Sequence, residues 1–118
     1  MNGQMNYHAG LAAEEAVARF YCRKGLRIER KRWRGRAGEI DLVAREGAGV
    51  VFIEVKKSKS FSTAAASLSA RQMHRIYQTA AEFLAGEPHG QNTEARFDVA
   101  LVNGAGEVRI LENAFGQM

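Results

Sequence analysis

Hydrophobic residues recur at helical spacing in two segments of the chain. The first covers about residues 7–24 and ends at Gly25, and the second covers about residues 69–85. In each segment the apolar positions fall on one face of a helix, as in helices that pack against a core. The sequence therefore predicts two amphipathic helices. Their apolar positions are Ala13, Val17, Phe20 and Tyr21 in the first, and Met73, Ile76, Tyr77, Ala80, Phe83 and Leu84 in the second.

Shorter segments alternate apolar and polar residues, or run apolar, between turn residues, and these segments predict strands. The predicted strands are residues 26–34, 39–45, 50–57, 96–102 and 108–111. Short glycine-containing turns join the first three, so we expect those strands to pair antiparallel. The second helix separates the third strand from the fourth, and such a crossover permits a parallel pair. The order α-β-β-β-α-β-β indicates an α/β or α+β fold, with a mixed sheet flanked by helices.

The composition is that of an ordinary folded domain. Of 118 residues, 46% are hydrophobic and 25% are charged, so we expect a single domain over residues 1–118. No segment contains the ~20 apolar residues that a membrane helix requires, and the N-terminus lacks the pattern of a secretory leader. We therefore expect a cytoplasmic protein without a membrane partner.

Positive charge is concentrated in one part of the chain. The net charge is +4, but residues 23–36 hold eight basic residues against Glu29 alone, a local charge of +7. A solvated basic strand would explain this segment, but such a patch also attracts phosphates, and Trp33 is available for stacking. We favour a polyanion partner such as a nucleic acid. The candidate phosphate contacts are Arg30, Lys31, Arg32, Arg34 and Arg36.

Charged residues interrupt two strands that otherwise consist of core residues. The two strings are Gly38-Glu39-Ile40-Asp41-Leu42 and Phe52-Ile53-Glu54-Val55-Lys56. Because strand side chains alternate, Ile40 and Leu42 are expected to pack on the face opposite Asp41. Glu54 and Lys56 are expected to share a face. Charges placed inside core strands need a reason, because burying a charge is costly.

The connection between these two strands suggests that reason. A hairpin that turns at residues 47–48 places Asp41 opposite Glu54, with Cβ atoms about 5 Å apart. It also places Glu39 opposite Lys56. Two largely buried carboxylates at that distance repel each other unless a proton or a cation lies between them. A hard divalent cation such as Mg²⁺ takes oxygen ligands of this kind, so the pair is a candidate metal site.

Glu14 on the first helix is a further candidate. On a helical wheel it lies at the edge of the apolar face, so it can lean toward the sheet. A purely structural interpretation stays open for all of these residues. In that interpretation Glu39 forms an ion pair with Lys56, and Glu14 lies on the helix surface. Asp41 and Glu54 then pair with nearby arginines.

At these residues the chain resembles the YraN-like family of bacterial proteins. That family is related to the restriction-endonuclease-like, or PD-(D/E)xK, nucleases and to archaeal-type Holliday junction resolvases. The resemblance covers nearly the whole chain and implies a restriction-endonuclease-like fold with a metal-dependent nuclease site. The matching strings are Gly10 with Glu14, the two charged strings above, the second helix, Arg96-Phe97-Asp98-Val99 and Asn113-Ala114-Phe115.

The resemblance also implies a role for each candidate residue. Asp41 and Glu54 would bind Mg²⁺ or Mn²⁺, with the main-chain carbonyl of Val55 as a further candidate ligand. Lys56 would position or help to activate the attacking water, and Glu14 would assist the metal directly or through water. Related resolvases act as dimers, so a homodimer is implied as well.

Three functions are compatible with the sequence. The first is an endonuclease that hydrolyses phosphodiester bonds of DNA, which is favoured over RNA, with branched or structured DNA as a possible substrate. The second is a non-catalytic nucleic-acid-binding module on the same scaffold, and the third is a protein-interaction domain. The intact set of Glu14, Asp41, Glu54 and Lys56 favours the first.

Overall fold

The computed structural model describes residues 2–114, with side chains from residue 10 onward, so Phe115 lies outside the described residues. Apart from α2, the order of elements is the predicted one. In chain order the elements are α1 (Asn2–Arg23), β1 (Arg27–Arg34), β2 (Glu39–Glu46), β3 (Gly49–Lys57), α2 (Phe61–Ala66), α3 (Ala70–Leu84), a 3-10 turn (Gly90–Asn92), β4 (Ala95–Val102) and β5 (Val108–Leu111).

Within the described residues, five strands form one sheet in the order β1-β2-β3-β4-β5. β3 and β4 are parallel, whereas the other neighbouring strands are antiparallel. The parallel pair forms because α2 and α3 carry the chain back to the end of the sheet at which β3 begins. The predicted mixed sheet flanked by helices is thereby confirmed.

The hairpin of β2 and β3 has the predicted register. Leu42 pairs with Ile53 and Arg45 with Val50, so the chain turns at residues 47–48. Gly47 has a φ of 60°, which glycine adopts without the steric cost that a Cβ would add. The open ends of the two strands, opposite this turn, carry the charged residues.

Each face of the sheet is covered by helix. α1 packs on one face, and α2 with α3 on the other. The α1 cluster includes Ala13, Val17, Tyr21, Leu42, Ala44, Val51 and Ile53. The α2–α3 cluster includes Ile40, Val43, Phe52, Ile76, Ala80, Leu84, Val99 and Leu101. None of the described helices is long and apolar enough to span a membrane.

α2 was not predicted, because its six residues are too short to show a helical period. Ser60 caps it by accepting a hydrogen bond from the Thr63 N–H. α3 begins with a reciprocal pair of cap hydrogen bonds: the Ser69 hydroxyl accepts from the Gln72 N–H, and the Gln72 side chain accepts from the Ser69 N–H. Such a capping box satisfies two N–H groups that have no partner inside the helix.

The pleat of β2 is interrupted at Asp41, against the predicted alternation. Ile40 packs in the α2–α3 cluster, whereas Leu42 packs in the α1 cluster. Level with Asp41 on β1, Arg32 has a φ of 52°, a left-handed conformation that strains a residue with a Cβ. The prediction that Ile40 and Leu42 share a face is therefore wrong, because the backbone turns over at this level of the sheet.

A buried polar cluster joins α1 to β4 and to the segment after β5. Its centre is Asp98, whose side chain is fully buried. The Tyr21 hydroxyl donates to this carboxylate at 2.7 Å, and the Arg96 guanidinium donates two hydrogen bonds at 2.9 and 3.0 Å. The Asn113 N–H adds another at 3.0 Å. The charge of Asp98 is thus matched by donors from three parts of the chain.

Candidate active site

Asp41 and Glu54 lie where β2 and β3 separate. Leu42 and Ile53 form the last pair of their ladder, and beyond it the Val55 N–H donates to Asp41 Oδ2 at 2.8 Å. The Asp41 side chain thus takes over from the main chain of β2 as the hydrogen-bond partner of β3. This arrangement brings the carboxyl groups of Asp41 and Glu54 within hydrogen-bonding distance of each other.

The two carboxyl groups perturb each other strongly. Burial and, next, the charge of Asp41 raise the pKa of Glu54 to about 8. Burial also raises the pKa of Asp41, although the Val55 N–H acts in the opposite direction. Near neutral pH and without a cation, the raised pKa of Glu54 favours a pair that carries one proton.

Lys56 is the nearest positive charge to this pair. Its Nζ lies 3.4 Å from Glu54 Oε2, and the side chains of Lys56 and Glu54 are only 16% and 13% exposed. Among the described ion pairs, neither Asp41 nor Glu54 is joined to an arginine. A half-buried ammonium group beside two half-buried carboxyl groups is a polar centre within an otherwise apolar part of the sheet.

Glu39 does not lie opposite Lys56, contrary to the prediction. Its carboxylate accepts from Arg34 of β1 at 3.1 Å, and the two residues are paired in the β1–β2 ladder. The reason is the early end of the β2–β3 ladder, after which β2 is paired with β1 alone. Glu39 is thus outside the carboxyl pair.

Glu14 lies at the edge of the site rather than within the pair. Arg32 Nε donates to Glu14 Oε1 at 3.0 Å, and the Glu14 side chain is 18% exposed. Burial raises the pKa of Glu14, the Arg32 hydrogen bond opposes that rise, and the negative charge of Asp41 adds to it. Glu14 is therefore close enough to Asp41 to feel its charge, while its carboxylate is engaged by Arg32.

The donor set limits the kind of cation that the site can hold. In residues 10–114, no group of three or more His, Cys, Asp or Glu side chains is arranged to bind a metal ion. Asp41 and Glu54 offer two carboxylates, and the main chain of Val55 is adjacent. Mg²⁺ is often bound through one or two carboxylates, its other ligands being waters and substrate phosphates. The residues fit such a cation and do not fit a four-ligand zinc site.

The five candidate phosphate contacts do not form one free patch. Arg32 is bound to Glu14 and Arg34 to Glu39, and Arg30 donates to a neighbouring main-chain oxygen at 3.1 Å. Lys31 and Arg36 are exposed. Trp33 is half-buried and meets Phe83 edge-on, with ring centroids 5.2 Å apart. The suggestion that Trp33 is available for stacking is therefore wrong, because its ring packs in the core.

One basic residue near the site was missed at the level of sequence. The stem of Arg75 on α3 packs against Gly38, so closely that a Cβ on Gly38 would lie 2.7 Å from Arg75 Cδ. Gly38 precedes the Glu39-Ile40-Asp41 string directly. A glycine at the start of a charged strand is the signal of such a close approach.

Comparison with known proteins identifies the family. The model of the family described as "Uncharacterised protein family UPF0102" matches residues 13–102. The chain belongs to UPF0102. This is the YraN-like family that the sequence resembles. The matched range contains Glu14, Asp41, Glu54 and Lys56.

Relatives within UPF0102 match over most of their length. A UPF0102 protein of Cereibacter sphaeroides strain KD131 is 65% identical over 115 residues, which is 98% of either chain. A relative from Ruegeria pomeroyi is 60% identical over 114 residues, 97% of this chain and 93% of the relative. One from Dinoroseobacter shibae is 47% identical over 105 residues, 89% and 78% of the two chains. Family membership leaves the reaction to be argued from the site.

Proposed function

We propose that this protein is a Mg²⁺- or Mn²⁺-dependent endonuclease that hydrolyses phosphodiester bonds of DNA, including branched or structured DNA. The observation that carries the proposal is the carboxyl pair of Asp41 and Glu54, buried together with Lys56 beside them and without an arginine partner among the described ion pairs. Structural carboxylates in protein interiors are usually matched by donors or opposite charges. Lys56 and the Val55 N–H match only part of the charge of this pair, and a cation from outside would match the rest.

Each residue has a defined part in the proposed reaction. Asp41 and Glu54 would hold the cation, with the Val55 carbonyl as a further candidate ligand. When bound, a divalent cation supplies positive charge that offsets the charge developing on the scissile phosphate. Lys56, whose Nζ lies 3.4 Å from Glu54 Oε2, would donate a hydrogen bond to the attacking water and orient it. Glu14 would assist from the α1 side of the site once Arg32 releases its carboxylate.

The family resemblance supports the same assignment and extends it. It favours DNA over RNA as the partner and implies a homodimer. A second function is a non-catalytic nucleic-acid-binding module on the nuclease scaffold. It is favoured by the hydrogen bond between Arg32 and Glu14, because this bond keeps a third carboxylate from a cation at Asp41 and Glu54. The two functions differ in one measurable outcome: only the endonuclease cleaves DNA, and it does so only with a divalent cation.

The test is cleavage by the purified protein of duplex, single-stranded, flap and four-way-junction DNA, each with Mg²⁺, Mn²⁺ or EDTA. We expect wild type to cut at least one substrate when metal is present, and Asp41→Asn and Lys56→Ala to cut none. Glu39→Gln is the matched control, because it removes a carboxylate two residues from Asp41 that is paired with Arg34. We expect this control to retain cleavage.

Binding of the cation is measured separately from cleavage. Millimolar Mn²⁺ should raise the melting temperature of wild type and of Glu39→Gln, and should leave that of Asp41→Asn unchanged. Cleavage that persists in Asp41→Asn would exclude this site as its source. Binding of DNA without any cleavage or metal-dependent melting shift would favour the non-catalytic module.

A further inference from the structure

Two side chains of the basic segment are already paired with carboxylates, and exposed positive charge is also present outside this segment. On β1, the guanidinium groups of Arg32 and Arg34 are bound to carboxylates at 3.0 and 3.1 Å. A phosphate would have to compete with these partners. Arg71 and Arg75, in contrast, are exposed on α3, and among the described ion pairs none involves either residue.

The candidate site faces α3. Glu54 and Lys56 pair in register with Val99 and Leu101 of the parallel strand β4. Val99 and Leu101 belong to the cluster that packs beneath α2 and α3. Since side chains in register on paired strands lie on the same face, Glu54 and Lys56 are on the α3 side of the sheet.

The chain on either side of α3 indicates how this helix lies on the sheet. Just after its last turn, Glu87 accepts from the Arg45 guanidinium at 2.6 and 3.2 Å. Arg45 is paired with Val50, at the start of β3. The segment after α3 therefore reaches the start of β3, whereas α3 itself begins thirteen residues after the end of β3, where Glu54 and Lys56 lie.

Close contacts with the β1–β2 connection fix the position of α3 more exactly. A Cβ on Gly35, after β1, would lie 2.6 Å from Glu82 Oε1, and one on Gly38, before β2, would lie 2.7 Å from Arg75 Cδ. Going backwards along α3, the helix thus passes from the level of β1 to that of β2. Arg71 is one turn earlier, in the direction of β3, and on the same helix face as Arg75.

We propose that Arg71 and Arg75 form the surface that binds the phosphate backbone of DNA and holds it against the Asp41–Glu54 pair. The choice of DNA as the partner rests on the proposed function, but the surface itself is argued from charge and geometry. Gly38 positions Arg75 on this surface. Because Gly38 lacks a Cβ, the stem of Arg75 packs against the strand that carries Asp41.

The test uses a fluorescein-labelled DNA duplex in EDTA, with binding followed by fluorescence anisotropy over a range of salt concentrations. Each phosphate contact contributes about 0.9 to the slope of log K against log salt concentration. We expect the Arg71→Ala/Arg75→Ala variant to bind at least about tenfold more weakly at low salt and its slope to fall by about 2. Arg19→Ala is the control for the single variant Arg75→Ala, because Arg19 lies outside the basic segment and on α1, which covers the opposite face. The control should bind like wild type.

Gly38→Ala tests the contact between Gly38 and the stem of Arg75 without removing a charge. The added Cβ has to displace the stem of Arg75, so we expect weaker DNA binding than in wild type. In an Arg75→Ala background the same substitution should have no further effect. The melting temperature of every variant is measured alongside, and the Arg71→Ala/Arg75→Ala variant, which alters only exposed positions, keeps the test valid if Gly38→Ala does not fold.

The outcomes separate this inference from the proposed function. If the Arg71→Ala/Arg75→Ala variant binds like wild type, or if Arg19→Ala loses as much affinity as Arg75→Ala, the α3 surface is wrong even when Asp41→Asn abolishes cleavage. Wild type that does not bind the duplex at low salt overturns it as well. If binding depends on Arg71 and Arg75 but no substrate is cut with any metal, the surface stands and the nuclease proposal fails.

Discussion

Two carboxylates lie in the interior of the same sheet, Asp98 on β4 and Asp41 on β2, and their surroundings are opposite in kind. Asp98 accepts hydrogen bonds from Tyr21, Arg96 and the Asn113 N–H, so its charge is fully compensated inside the protein. Asp41 has one main-chain donor and shares its surroundings with the carboxyl group of Glu54. The carboxylate of Asp98 has a full set of donors. Asp41 and Glu54, in contrast, repel each other unless a proton or a cation lies between them.

The comparison shows how a buried charge can be interpreted. A carboxylate with a full set of donors stabilises the fold and has no capacity left for a ligand. A carboxylate placed against another one costs stability and is retained where an external group completes it. This contrast implies a ranking of effects on the free energy of unfolding.

The largest effect is expected for Asp98→Asn. This change leaves the Arg96 guanidinium without its buried counter-charge, and we expect the free energy of unfolding to fall by about 3 kcal/mol. Urea denaturation measures it. Glu112→Gln is the control, because Glu112 is an exposed carboxylate 3.9 Å from Arg96, and its loss should cost less than about 1 kcal/mol. Equal stability of Asp98→Asn and wild type would contradict the structural role of Asp98.

The next effect is a dependence on pH. Because the folded state raises the pKa of Glu54 to about 8, the folded protein binds a proton over a pH range in which the unfolded chain has released it. In EDTA, the contribution of Glu54 to the free energy of unfolding should therefore be fully present below about pH 4.5. It should be lost as the pH rises through 8. Urea midpoints across this range, compared with those of Glu54→Gln, isolate the contribution. If Glu54→Gln and wild type show the same dependence of stability on pH, Glu54 is not the origin of that dependence.

Tyr21→Phe should have a smaller effect than Asp98→Asn. Burial and the neighbouring Asp98 raise the pKa of the Tyr21 hydroxyl, which keeps its proton and donates a hydrogen bond to Asp98. Removing this donor leaves Arg96 and the Asn113 N–H in place, so we expect a loss of about 1.5 kcal/mol. Thermal melting detects it. A loss as large as that of Asp98→Asn would show that the cluster fails as a unit when one donor is removed.

The smallest effect on stability is expected for Asp41→Asn. At pH 7 in EDTA the proton held by the pair already relieves the repulsion, so the variant should lie within about 1 kcal/mol of wild type or above it. If Asp41 had a purely structural role with an arginine partner, its replacement would lower stability by about 1–3 kcal/mol. Melting in EDTA at pH 7 and pH 9 distinguishes these cases, because relief of repulsion predicts a larger gain at the higher pH.

Much of the fold could be predicted because its signals are local. The helical spacing of apolar residues identified α1 and α3, and a two-residue turn fixed the register that brings Asp41 to Glu54. The break in the pleat at Asp41 could not be predicted, since alternation assumes a regular strand and nothing local marks the left-handed φ of Arg32. Consequently the faces of Ile40 and Leu42 were wrong.

The partners of long charged side chains were the least predictable part of the site. Lys56 was expected opposite Glu39 and is found against Glu54, because the ladder ends early and the side chain reaches its own strand neighbour. Arg32 was assigned to phosphate and instead binds Glu14, which is 18 positions away in the chain. Such choices depend on tertiary placement, which the spacing of residues does not contain.

The irregular backbone at Arg32 has a consequence for self-association. β1 has a neighbouring strand on one side only in the described sheet, and a row of free amide groups along such an edge can recruit a strand from another molecule. The exposed side chains of Arg27, Arg30 and Arg34 repel a like-charged edge. The left-handed φ of Arg32 and the register shift between Ile28 and Arg30 make this edge irregular. Growth of the sheet from molecule to molecule is thereby disfavoured.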